Sequence, residues 1–89
     1  MNLRWIKYGR DWWLFAPDAE PGAEWVGHMH APPKGRPWRF CGFYSAVRGY
    51  RVDVQAGSSL AARRLAEREI DRQSIGLLGV DAITFEVIQ

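Results

Sequence analysis

The residues in this sequence best suited to chemistry are two histidines, one cysteine and a set of arginines interleaved with aromatic rings. His28 and His30 are separated by one residue, so on a strand both imidazoles point to the same side. Cys41 falls in the stretch "RPWRFCGFY" (36–44), where Arg36 and Arg39 alternate with Trp38, Phe40, Phe43 and Tyr44. Three chemistries could use these groups. Two imidazoles and a thiolate match zinc in ligand type. A thiol beside an imidazole is the skeleton of a cysteine nucleophile. Arginines set among exposed rings suit either base stacking or a protein hot spot.

The first two readings lack supporting residues. There is no CxxC, no HExxH and no fourth ligand at a telling spacing, so no metal is expected. Nothing near Cys41 marks a lowered thiol pKa or an oxyanion hole, and the carboxylates are scattered beside arginines. The expectation is a protein without catalytic residues or cofactor. "RGYRVDV" (48–54) begins like an RNA-recognition signature, but Arg51 stands where a small residue is needed and Val52 where a stacking ring is needed. That family is rejected.

Composition narrows the class further. The chain has 89 residues, one cysteine and a formal net charge of +2, with ten arginines against two lysines. One cysteine excludes an internal disulfide framework and fits a reducing, cytoplasmic setting. No apolar run resembles a signal peptide or a membrane span. Nearly balanced charge argues against a strongly electrostatic nucleic-acid binder. Five Trp, four Phe and three Tyr give a small domain a large apolar content.

The elements that must position these groups follow from periodicity. "LRWIKY" (3–8) and "WWLFA" (12–16) read as a hairpin across Gly9-Arg10-Asp11. "PDAEPGA" (17–23) is a loop, "EWVGHMHA" (24–31) a third strand, "PPKGRP" (32–37) a rigid connection and "WRFCGFY" (38–44) a fourth strand. "SAVRG" (45–49) turns into "YRVDVQ" (50–55), the cleanest alternation in the chain. The period then becomes helical over 57–73, capped by Ser58 or Ser59, with Ala61, Ala62, Leu65, Ala66 and Ile70 on one stripe. Arg63–Glu67 and Arg68–Asp71 are spaced to pair, and Arg64, Arg68 and Arg72 form a basic stripe. "SIGLLGVD" (74–81) is a glycine-broken return into which the helix could extend towards Leu78, and "AITFEVIQ" (82–89) is a last strand.

The expected fold is α+β in a single domain, 1–89: an antiparallel sheet of five to six strands in the order βββββαβ, with one helix on one face. The last strand is expected beside an earlier one, with its place in the sheet, central or otherwise, left open. The expected core is Trp25, Met29, Trp38, Phe40, Tyr44, Tyr50, Val52, Val54, Phe85 and Val87. One narrow helix covers one face only, and Trp12 and Trp13, being adjacent, point to opposite faces. The uncovered face therefore gathers Val26, His28, His30, Arg39, Cys41, Phe43, Arg51 and one of the tandem tryptophans, Trp12 or Trp13. The candidate binding residues are Arg39, Phe43, Arg51, His28, His30 and Trp13. Their composition is that of a protein-binding surface. Homodimerisation through this face is a second way to bury it, and single-stranded nucleic acid stacked on Phe43 and Trp13 is the alternative partner.

The tryptophan-rich meander "RDWWLFAP…EWVGH…PWRFCGFY…GYRVDV", followed by the serine-capped "SSLAARRLAEREI", resembles small accessory proteins of phages and mobile elements, a group that includes many anti-CRISPR inhibitors. The likeness is one of pattern and size, and no functional residue carries over. It implies a non-enzymatic binder of a host protein or ribonucleoprotein that acts by steric block. Strongly acidic DNA mimicry, common in that group, is not matched by this mildly basic chain.

Overall fold

A computed structural model describes residues 2–17, 25–44, 50–78 and 83–88, with the side chains at 43, 44, 50 and 74–78 left undescribed. Its elements are β1 (Asn2–Tyr8), β2 (Asp11–Phe15), β3 (Trp25–Met29), β4 (Trp38–Tyr44), β5 (Tyr50–Ala56), α1 (Ser59–Leu78) and β6 (Thr84–Ile88). The fold is α+β in the expected order. The expected turn at 45–49, most of the loop at 17–23 and the segment 79–82 lie outside the described residues, as do the side chains of Tyr44 and Tyr50.

The sheet order is β5-β4-β3-β2-β1-β6, antiparallel throughout β1–β5. The last strand pairs beside an earlier one, β1, at an edge of the sheet, and departs from the expected antiparallel arrangement by running parallel to it. The reason is the connection. Strands β5 and β6 occupy opposite edges, and a 20-residue helix is about 30 Å long, enough to carry the chain across six strands spanning about 24 Å. A parallel partner requires such a crossover.

The helix begins where Ser58 Oγ accepts the Ala61 N–H at 3.1 Å, an N-cap that satisfies one otherwise orphaned donor. It buries Ala62, Ala66 and Ile70 at a strict four-residue spacing. Ala61 and Leu65, expected on that stripe, are exposed. The buried line is only one residue wide, and its alanines let the backbone approach the sheet closely.

Two complete rows of side chains cross the sheet. The row under the helix runs Val87–Trp5–Leu14–Gly27–Gly42–Val52. Its two glycines leave a hollow that the Phe40 ring fills, and Trp5 meets Phe40 edge-on at 5.4 Å. A Cβ at Gly27 would stand 2.4 Å from Phe40 Cζ and 2.8 Å from the backbone of Cys41 and Gly42, so this position requires glycine. Trp5, Leu3, Leu14, Met29, Phe40 and Val52 are fully buried, Trp12 is nearly so, and Trp38, Val54 and Phe85 pack against them. Val87, expected in the core, is 44% exposed because the edge strand has a neighbour on one side only.

Candidate functional site

The second row, Ile88–Ile6–Trp13–His28–Cys41–Asp53, occupies the face away from the helix. Alternation dictates it. Trp12 pairs with Met29 and turns to the core, so Trp13 pairs with His28 and turns outward. Trp13 stacks on His28 with centroids 4.9 Å apart and planes 27° from parallel, and His28 meets His30 at 4.8 Å.

Trp25 joins this outer cluster instead of the core. The pairing Leu14↔Gly27 is followed by Phe15↔Trp25, so one step along β2 takes two along β3. This bulge reverses the facing of every residue beyond it. Trp25 is 47% exposed and packs against Phe15 at 5.0 Å and Trp13 at 5.6 Å, while Tyr8 lies 6.5 Å from Trp25. Tyr8, Trp13 and Trp25 line one shallow depression. Val26, His28, Cys41 and Arg51 line a second beside it, sharing Trp13 and Trp25. Six rings thus form one continuous aromatic ridge: Tyr8 from β1, Trp13 and Phe15 from β2, Trp25 and His28 from β3, and His30 just beyond β3.

Asp11 closes one end of the ridge. Its carboxylate accepts His30 Nδ1 at 3.1 Å and the Ala31 N–H at 2.8 Å. These bonds, the Ala31 N–H first, hold its pKa below the ordinary carboxylate value. Burial lowers the His28 pKa, His30 lowers it further, and Asp11 opposes them weakly. The ring face of Trp13 attracts positive charge, yet desolvation dominates, and the neutral imidazole is favoured.

Arg39 and Arg51 sit at the other end, and both are engaged. Arg39 donates through Nε to Asp53 Oδ1 at 2.8 Å and through Nη2 to Oδ2. Arg51 Nη2 lies 3.9 Å from the same carboxylate. The Arg39 bond is the chief cause lowering the Asp53 pKa, and the Asp53 bond chiefly raises that of Arg39. Of the six candidate binding residues, the fold therefore brings Trp13, His28 and His30 into contact and leaves Arg39 and Arg51 at the rim around Asp53. Phe43 pairs with Arg51 in register, but its side chain lies outside the described set.

Tyr8, Trp25 and Asp11 were missed as site residues. Tyr8 had a legible signal, since it alternates with Arg4 and Ile6 on the outer side of β1; Trp25 had none, because a bulge leaves alternation in the sequence unchanged. Among the described residues, no group of three or more His, Cys, Asp or Glu is arranged to hold a metal. No helix among them is long and apolar enough to cross a membrane. On the helix, Glu67 receives Trp5 Nε1 at 2.9 Å in place of the expected Arg63 pair, and Arg72 pairs with Glu69.

No family model, curated protein or solved structure matches the chain.

Proposed function

We propose that this chain is a non-enzymatic protein-binding module whose contact surface is the ridge of Tyr8, Trp13, Phe15, Trp25, His28 and His30. The observation that carries this reading is the pairing of both rim arginines with Asp53. A groove for single-stranded nucleic acid needs free cations along the phosphate track. Here the Asp53 carboxylate offsets the charge of Arg39 and is shared with Arg51, and Asp11 adds acid at the other end. Exposed Trp and Tyr at the centre, with hydrogen-bonded charge at the rim, are the anatomy of a protein interface. In the setting that the sequence resemblance implies, the partner is a host protein or ribonucleoprotein in the cytoplasm, inhibited by steric block.

The test is capture from a host lysate with and without nuclease, repeated with Trp25→Ala. Trp25 is half exposed, so its truncation leaves the fold in place. The expected outcome is a protein retained after nuclease and lost with Trp25→Ala, at a cost of about 2 kcal/mol or more in affinity. Capture that disappears with nuclease, with affinity falling steeply as salt rises, would transfer the ridge to nucleic acid.

A further inference from the structure

The helix-bearing side holds a recess remote from the ridge. Lys7, Gly9, Trp12, Arg63 and Val87 line about 580 Å³ of space at the tip of the β1–β2 hairpin. Two cations converge there on one indole: Arg63 Cζ lies 3.9 Å from the Trp12 centroid and Lys7 Nζ 5.7 Å from it. Among the described residues, neither is within ion-pair distance of a carboxylate. Glu67, one helical turn beyond Arg63, is occupied by the Trp5 indole N–H. Arg63 Nε is buried and has no hydrogen-bond acceptor.

An unmet buried donor on a charged group is costly and calls for a partner. Arg39, by comparison, has its carboxylate in Asp53. Gly9, at φ +60° and with open space where a Cβ would stand, leaves the mouth of the recess clear. Burial lowers the Arg63 pKa, and Glu67 opposes that shift.

We propose that this recess binds a small oxyanion bearing an apolar group, either a phosphate monoester or a carboxylate. The guanidinium offers its Nη donors to the ligand oxygens, the Lys7 ammonium supplies a second charge, and Trp12 and Val87 form the apolar wall. The site is separate from the protein-binding ridge and does not depend on it.

Titration followed by ¹⁵N–¹H correlation spectra tests this, with phenyl phosphate and benzoate as probes and sodium chloride at equal ionic strength as control. The expected result is saturable movement of the Arg63 Nε–H and Trp12 Nε1–H signals with at least one probe and not with chloride. The tighter of the two probes identifies phosphoryl or carboxyl chemistry. Lys7→Gln, an exposed change that spares the packing, should weaken binding about tenfold, and Arg63→Gln should abolish it. Equal movement with chloride, no movement with either probe, or unchanged affinity in Lys7→Gln overturns the proposal.

Discussion

His28 shows how one side chain links the ridge to pH. Its folded-state pKa lies below the ordinary value of 6.5, chiefly through burial, while the unfolded chain titrates near that value. On acidification the unfolded state therefore takes up the proton first. The stability held by neutral His28 is complete above about pH 6.5 and declines as pH falls from there through the lowered folded pKa. The melting temperature should drop between pH 7.5 and 5.5, and His28→Gln should reduce that drop. An identical drop in the variant would mean that His28 is not its source. Gly27 makes an opposite kind of demand, steric and independent of pH. Gly27→Ala should destabilise by about 1–3 kcal/mol in chemical denaturation, because two of the three atoms it meets are backbone and cannot rotate away. A neutral result would show that the sheet can part at the glycine pair.

At the scale of elements, α1 is seated by few contacts, and each matters accordingly. Alanines at 62 and 66 bring it close, while the Trp5–Glu67 bond ties its middle to β1. Trp5→Phe keeps a ring against Phe40 but removes the indole donor, leaving Glu67 without its partner. The expected cost is about 1–3 kcal/mol by denaturant unfolding, and Glu67→Gln in the same background should recover part of it. No recovery would mean that lost ring volume, not the bond, sets the cost. These elements also show what the sequence could convey. His28, His30, Met29 and Phe40 take their expected faces because strict alternation survives through them, and the same alternation sends Trp12 inward and Trp13 outward. Trp25 does not take its expected face, because the bulge between Leu14 and Phe15 adds a residue whose presence depends on two strands at once. The position of β6 was hidden for a related reason: "TFEVI" satisfies a central or an edge strand equally, and only the crossover length selects between them. The Trp5–Glu67 bond was hidden behind a local helix pair, Arg63–Glu67, that spacing favours and tertiary packing overrides.

For the whole molecule, the open sheet has two unpaired edges, β5 and β6. Strand β6 is guarded by one charge, Glu86, which accepts a hydrogen bond from Asn2, and its Val87 and Ile88 are 44% and 41% exposed. Long apolar edges invite pairing with a second copy. Sedimentation should show the average mass rising with concentration, and Ile88→Lys should flatten that rise with little effect on melting, as expected for an exposed position. If Ile88→Lys associates as strongly as the parent, any dimer forms elsewhere, with the ridge as the next surface to test.

The pairing of β1 with β6 also sets a clock. Asn2 and Thr84 are register partners across nearly the whole sequence, whereas β1–β2 and β4–β5 close over short separations. Closing the long loop carries the greatest entropic penalty, and rates fall as contacts become less local. The hairpins should gain hydrogen-exchange protection early in refolding and the β1–β6 amides last. During synthesis, β1 emerges first and waits for its second neighbour until every other element has been made. Over that interval the ridge-bearing meander presents a temporary edge, so the nascent chain is most prone to mispairing before its final strand arrives.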